Sequence, residues 1–436
     1  MTEARSVPHH DFGGMVGRAR ARGRIVVQPR MGFARPAEMR AGLLATASAP
    51  VPAAGTITLD SYTRLGDYRA VREVTGRGGA LNGFPLVTQD PAVTRAMVAD
   101  LVREDFQIQV RHGSPAPADI VRSMTRAGLY ATEGGPVSYC LPYGRMPLAE
   151  SVEHWRRGCE LLAGHRGSDV EPHLETFGGC LMGQLCPPAL LVAVSVLEAM
   201  FFRDHGIRSV SLSYAQQISH AQDVEALTAL RVLARDHLPG VDWHTVLYTY
   251  MGVFPTTAAG ALLLSRDAAR LAARAGADRL IVKTSVEAHR IPTVEENIEA
   301  LRHAADETAA HADGGTPPGP PDDNPTLAEA RDLIAATLEL ADDTGLALLR
   351  AVRRGYIDVP YCLHPDNAGR TGSAIDSTGR LVWGATGAMP LKAKPGPYQD
   401  MTSARLLSAL HHMAGRYDAG AASEGISAVP TAGDRA

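Results

Sequence analysis

The sequence predicts an α/β fold: a (β/α)8 TIM-type barrel with a C-terminal α+β extension and a disordered tail. Three observations lead there. Apolar, β-branched runs alternate with helical stretches about eight times over some 290 residues, the pattern of a parallel sheet wrapped by helices. The runs are close to continuously apolar, which suits strands buried on both faces. Polar residues suited to chemistry follow one strand after another, as at the mouth of a closed barrel; an open doubly wound sheet would gather them at one switch point.

Residues 1–20 are polar and Gly/Arg-rich and read as a flexible N-terminus. The barrel is assigned to 21–310. Its first run, RIVVQPRMG (24–32), delivers Arg30 and precedes a helix over Ala37–Ala45. The Pro/Ala linker APVPAAG (49–55) leads to TITLDSYTR (56–64), a strand ending on Arg64. The helical stretch that follows stops at GRGG (76–79), since glycine is costly inside a helix and favoured just past its end. LNGFPLVTQ reads as a short strand around a turn, and Pro91–Arg103 has helical spacing.

FQIQVRHG (106–113) is a buried strand that turns cationic at Arg111 and His112, before Gly113, Ser114 and Pro115 break it. A helix over Pro117–Ala127 leads to strand-like alternation around Glu133, with Gly134, Gly135 and Pro136 marking a loop. A helix over Leu148–Ala163, the strand HLETFGG (173–179) and the apolar helix Pro188–Asp204 come next. SVSLSY (209–214), HTVLYTYM (244–251) and RLIVKT (279–284) complete the strands, separated by helices over 219–236 and 257–275. Val294–Ala310 is helical, and 311–325, rich in Gly and Pro, is a linker by composition. The extension covers 326–416, with a helix over Leu327–Ala341 and a short β-rich piece. Residues 417–436 are small and polar, the expected disordered tail.

At 436 residues the chain can bury a large core. Hydrophobic content of 45% and charged content of 21% are those of an ordinary globular protein. A net charge of -4 leaves no basic footprint, which argues against a nucleic-acid partner. No run reaches the length of a membrane span, and the N-terminus lacks the apolar core of a secretory signal. The five cysteines are odd in number and contain no CxxC pair, so they read as reduced thiols of a cytoplasmic protein. His9–His10 and His411–His412 lack metal-ligand spacing, and no metal site is assigned.

One arginine after a strand is usually a surface residue. Arg30, Arg64 and Arg111 share the same local context, which suggests three guanidinium groups collected at one end of the sheet. The planar fork of arginine gives a carboxylate two parallel, charge-assisted hydrogen bonds, so three would fit a dicarboxylate. Glu133 is either a loop carboxylate or the acceptor for a substrate ammonium beside them. Tyr139 and Tyr143 are core residues or site residues; buried hydroxyls need partners. GRGGALNG (76–83) fails as a dinucleotide fingerprint because a helix precedes it. Lys283 and Glu287 form an i,i+4 surface pair or, being just past a barrel strand, part of a site.

Taken together and in order, PRMG (29–32), LDSYTR (59–64), NGFP (82–85), VRHG (110–113), EGGPVSYCLPY (133–143), ETFG (175–178), MGVFP (251–255) and KTSVEAHRIPT (283–293) resemble the large catalytic subunit of glutamate mutase, also called the epsilon chain of methylaspartate mutase. The resemblance implies a (β/α)8 barrel, adenosylcobalamin, and radical interconversion of L-glutamate and (2S,3S)-3-methylaspartate. It places substrate contacts at Arg30, Arg64, Arg111, His112, Glu133, Tyr139, Tyr143 and Phe177. Cofactor contacts fall at Gly32, Asn82, Pro142, Phe254, Lys283, Glu287 and Ile291, with Glu133, Lys283 and Glu287 as the catalytic set. Two departures fall in the substrate loop: Pro136 stands for the family's third glycine, and Cys140 for a carboxamide.

Base-off cobalamin binding requires a DxHxxG motif. The nearest pattern, Asp242-Trp-His244, lacks the glycine and sits in a predicted strand. The resemblance therefore implies a small, separate DxHxxG subunit supplying the lower cobalt ligand, in a heterotetramer of two large and two small chains. Two alternatives remain open: a cobalamin mutase for another small amino acid, and a catalytically silent scaffold for the small subunit.

Overall fold

The computed structural model describes residues 9–142, 144–181, 185–311, 323–392 and 402–423. Eight parallel strands form its centre: β1 (Val26–Pro29), β2 (Gly55–Thr58), β3 (Ile108–Arg111), β4 (Ala131–Gly134), β5 (His173–Thr176), β6 (Ser209–Ala215), β7 (Asp242–Tyr248) and β8 (Arg279–Val282). Their order around the sheet is β1-β8-β7-β6-β5-β4-β3-β2. The seam between β1 and β2 is bridged by Val27 N–H to Pro52 O (2.9 Å), Ala54 N–H to Val27 O (3.1 Å) and Thr58 N–H to Met31 O (2.9 Å). The expected barrel is thereby borne out, with its strand C-termini sharing one mouth.

Local chemistry sets the helices between the strands. Pro36 and Pro91 occupy first-turn positions, where a missing N–H costs nothing, and Asp90 caps Ala92 N–H. Thr293 and Glu296 form a capping box that starts Val294–Ala310. Gly276, at φ +65°, ends Ala258–Ala275 in the left-handed conformation that glycine adopts without strain. The helix Pro188–Asp204 is buried over Pro188–Phe202 because it has neighbours on two sides. The barrel lies on one, and Pro325–Leu338 with Thr344–Arg354 on the other. Among the described residues no helix is long and apolar enough to cross a membrane.

Four expectations need correction. Arg64 does not end a strand: β2 stops at Thr58, and Asp60 caps a short helix, Ser61–Leu65, that carries Arg64. LNGFPLVTQ forms no strand, only a single bridge from Phe84 to Leu59. The N-terminal segment is not simply flexible. Helix Phe12–Ala21 closes the strand N-terminal end, with Phe12 stacked on His173 at 5.0 Å and the Arg279 guanidinium 4.9 Å from its ring.

The tail is also ordered further than composition suggests. Helix His412–Ser423 packs on Ala258–Ala275, Tyr417 OH donates to Asp267 at 2.6 Å, and Asp418 accepts from the N–H groups of Thr256 and Thr257 at 3.0 Å each. The expected linker lies largely in 312–322, and the rest of the tail in 424–436; both are outside the described residues. Residues 1–8 are outside them too.

The extension also contains a helix, Thr344–Arg354, that the sequence reading did not place, and a hairpin, Thr371–Ile375 with Leu381–Thr386. The hairpin is tied back to the barrel shell by Arg380–Glu225 at 2.7 Å and by Leu381 N–H to Gln222 at 2.8 Å.

After β5 the chain passes between β6 and the helix behind it with no room for side chains. A Cβ on Gly179 would lie 1.7 Å from Ser213 O, whereas one on Gly17, in the N-terminal helix, meets nothing within 4 Å. Gly179→Ala should therefore destabilise by about 1–3 kcal/mol, while Gly17→Ala stabilises by about 0.5–1 kcal/mol. Thermal denaturation of the two variants checks this, and equal melting temperatures would contradict it.

Candidate functional site

The mouth of the barrel holds a cavity of about 290 Å³ lined by Arg30, Arg64, Asn82, Arg111, His112, Glu133, Tyr139, Phe177 and Met251, among others. Arg111 is the last residue of β3 and Glu133 lies on β4, so adjacent parallel strands bring them together. Arg111 Nε donates to Glu133 Oε2 at 2.7 Å, and its Nη2 donates to Tyr248 OH at 3.2 Å. Burial works against the Arg111 charge, but Glu133 and then Tyr248 outweigh it and hold the guanidinium well above its usual range. Tyr139 OH donates to the other Glu133 oxygen at 2.5 Å.

Three donors in this cavity are buried with no partner among the described residues: Arg64 Nε, Arg111 Nη1 and His112 Nε2. An unpaired buried donor costs about 1–3 kcal/mol, so three around one cavity point to an acceptor-rich ligand. His112 Nδ1 accepts from Ser114 N–H at 2.9 Å, which leaves the proton on Nε2. Burial pushes its pKa down to about 3, so it serves as a neutral donor. Gly113 permits the convergence: its φ is +70°, and a Cβ there would meet Arg64 Cδ at 2.9 Å. Phe177 walls the cavity between Tyr139 and Tyr248, at ring distances of 4.9 and 5.7 Å.

Beside the cavity, Glu287 Oε1 accepts from Arg30 at 3.0 Å and from Lys283 at 3.2 Å. Lys283 Nζ stands 4.8 Å over the Phe254 ring, a cation–π contact. Burial lowers the Lys283 pKa to about 8, with Glu287 opposing and Arg30 reinforcing the shift. Asn82 Oδ1 accepts from Ser61 N–H at 3.0 Å, and Gly32 sits where a Cβ would be 2.6 Å from Thr58 O. Pro142 is half-buried and Ile291 is exposed. Neither lines the cavity, and Tyr143 lies outside the described residues.

Cys140 faces away from the cavity, with its thiol 3.2 Å from Met146 O and 3.7 Å from His364. The Pro136 carbonyl accepts from Ser151 Oγ at 2.8 Å, and neither Pro136 nor Cys140 is among the residues lining the cavity. Both substitutions in the loop therefore sit behind the site. His244 is buried inside the barrel, stacked on His173 at 5.1 Å. A larger cleft of about 900 Å³ opens at the N-terminal end, around Arg20, Arg166, Asp242 and Trp243. It shares no residue with the mouth and is lined by none of the unpartnered donors.

The sequence profile described as Methylaspartate mutase E chain matches residues 7–406. The chain belongs to this family. It is therefore an enzyme of a mutase, that is isomerase, family. A glutamate mutase epsilon subunit of Halobacterium salinarum is 32% identical over 412 residues, covering 88% of this chain and 81% of that one. The Haloarcula marismortui protein of the same description is 33% identical over 334 residues, covering 74% and 68%. The one from Escherichia coli O157:H7 is 28% identical over 402 residues, covering 88% and 82%.

Sequence reasoning missed Tyr248, Glu175, Arg279 and Glu198. The first three fill the barrel interior below Glu133; a glutamate and an arginine inside apolar strands were the available signal. Glu198, on the helix behind β5, accepts from Val137 N–H (3.1 Å), Ser138 N–H (2.9 Å) and Ser138 Oγ (2.9 Å), and so anchors the loop that carries Tyr139. A Cβ on Gly135 would lie 2.0 Å from its carboxyl oxygen, so the loop closes on Glu198 only through glycine.

Burial pushes Glu198 up to about 7, against the pull of these donors. The folded chain then keeps a proton that the unfolded chain releases above its ordinary carboxyl pKa. Its stabilising contribution is full below pH 4.5 and is lost as pH rises to about 7, by about 1.4 kcal/mol per unit. Glu198→Gln should flatten the fall in chemical-denaturation stability between pH 5 and 7. An unchanged slope would refute the assignment.

Proposed function

We propose that the chain is the catalytic subunit of an adenosylcobalamin-dependent mutase that interconverts L-glutamate and (2S,3S)-3-methylaspartate. The observation that carries this reading is the set of buried, unpartnered donors of Arg64, Arg111 and His112 around one cavity, opposed by Glu133. Such a site complements a small molecule with two carboxylates and one ammonium. Arg30, Arg64 and Arg111, with His112, hold the carboxylates; Glu133, oriented by Tyr139, receives the ammonium. Relatives named glutamate mutase epsilon subunit support the choice of glutamate over another amino acid. So does the position of Cys140 and Pro136 behind the cavity wall.

The residues fit the cofactor at the rim. A cavity of about 290 Å³ suits the amino acid and not a corrinoid, so the large group would have to be held outside it, at the rim. Gly32, Asn82, Pro142, Phe254, Ile291, Lys283 and Glu287 are the residues that would hold it, the last two through their charges. When bound, adenosylcobalamin would supply the radical chemistry that the rearrangement needs. The contribution of this chain is to hold both ends of the carbon skeleton while its bonds rearrange, and to exclude water. Phe177 and Tyr139 form the dry wall of that enclosure.

His244 is stacked within the barrel, so the Asp242–His244 pattern is not the lower cobalt ligand. That ligand is assigned to a small DxHxxG subunit capping the mouth, in a heterotetramer of two large and two small chains in the cytoplasm.

The chain, mixed with such a subunit and adenosylcobalamin, should convert L-glutamate to 3-methylaspartate. Arg111→Lys removes the fork that serves Glu133 and the ligand together and should cut turnover by about 100-fold or more. Unchanged turnover in that variant would break the arginine assignment. Turnover should also decline above pH 8 as Lys283 loses its proton and releases Glu287. Lys283→Arg should move this alkaline limb upward, and a limb left in place would exclude Lys283 as its source.

A further inference from the structure

Below Glu133 the barrel interior is charged. Arg279, fully buried at the start of β8, donates to Glu175 Oε2 and Gln28 Oε1, and to Ser211 Oγ at 3.0 Å. Glu175 Oε2 also accepts from Gln109 Nε2 and Ser211 Oγ, at 3.2 Å each. The other oxygen, Glu175 Oε1, accepts from Tyr248 OH. That same hydroxyl is 2.8 Å from Glu133 Oε2 and accepts from Arg111 Nη2 at 3.2 Å. We infer that Tyr248 is a positioning residue, whose hydroxyl couples the substrate-facing carboxylate of Glu133 to the buried Glu175–Arg279 pair.

A phenol carries one proton and here touches two carboxylates. Burial holds the Tyr248 phenol well above its usual range, so that proton stays on the ring oxygen or is shared with its acceptors. Glu175 Oε2 has three other donors, whereas Tyr248 is the one donor to Glu175 Oε1 among the described residues. Glu133 Oε2 has Arg111 as well as Tyr248. The two contacts therefore compete: a change at Glu175 alters how much of the Tyr248 hydrogen bond Glu133 receives. No other side chain on β4, β5 or β7 touches both carboxylates among the described residues. On the function proposed above, this sets how firmly Glu133 is presented to the substrate ammonium.

Two measurements test the coupling. In protein labelled with [δ-13C]glutamate, the Glu133 carboxyl resonance is identified by its loss in Glu133→Gln. Glu175→Gln should displace that resonance when Tyr248 is present and leave it unmoved in a Tyr248→Phe background. Equal displacement in both backgrounds would overturn the relay. Tyr248→Phe keeps the ring that stacks under Arg111 at 5.0 Å and against Phe177 at 5.7 Å, so the fold is retained. If Glu175→Gln strands Arg279 and does not fold, Tyr248→Phe decides alone: an unmoved Glu133 resonance overturns the proposal.

The second measurement is kinetic, on the complete enzyme. Tyr248→Phe should raise KM for L-glutamate about tenfold with kcat changed less than about threefold, the pattern of lost ground-state and transition-state binding in equal measure. A variant that is merely less stable, with KM unchanged, would contradict the role. If the wild type does not turn over glutamate at all, the substrate assignment fails, and the resonance comparison still decides the relay.

Discussion

The structure depends on a buried, hydrogen-bonded run in which a phenol joins two ion pairs: Arg279, Glu175, Tyr248, Glu133 and Arg111. Two guanidiniums and two carboxylates lie in the barrel interior, nearly free of solvent. Taking four charges out of water is expensive, and the cost is offset only when each is paired and hydrogen-bonded. Removing one partner from such a pair costs about 3–5 kcal/mol, because the other charge is left buried alone. Glu175 shows the balance directly. Burial pushes it up, and the guanidiniums of Arg279 and Arg111 bring it below the usual carboxyl range. A closed barrel is the fold that can supply partners from five strands to one interior column.

That column explains why the mouth is so specific. Its top member, Arg111, is fixed by two contacts from below and keeps Nη1 for a ligand. A network satisfied on one side and open on the other is a preorganised site, since its orientation is settled before the ligand arrives. At the rim, one carboxylate, Glu287, serves two cations, Arg30 and Lys283. The mouth therefore carries an excess of positive charge, which suits the dicarboxylate proposed for it.

Much of this was legible in the sequence, and the limits have physical causes. Leu148–Ala163, Pro188–Asp204 and Val294–Ala310 fall where their spacing and end signals place them. Arg30, Arg111 and Glu133 are legible because a strand of a parallel barrel delivers its last residues to one mouth. Arg64 reaches the same mouth by another route. Asp60 turns the chain into a short helix, a signal visible as a capping residue but read as continued strand. Phe12–Ala21 was obscured by its three glycines, and His412–Ser423 by its small residues; packing onto the barrel, not propensity, makes both helical. Glu175 and Arg279 were signalled as charges inside apolar strands, whereas Tyr248 could not be singled out, because which face of a strand looks into the barrel is settled by closure of the sheet.

The central claim is that the mouth of this barrel is a receptor for an amino dicarboxylate. A crystal structure with L-glutamate tests it most directly. The account predicts both carboxylates within hydrogen-bond distance of the Arg30, Arg64 and Arg111 guanidiniums, and the ammonium on Glu133. Glutamate bound at the N-terminal cleft around Arg20 and Arg166, with the mouth empty, would contradict it.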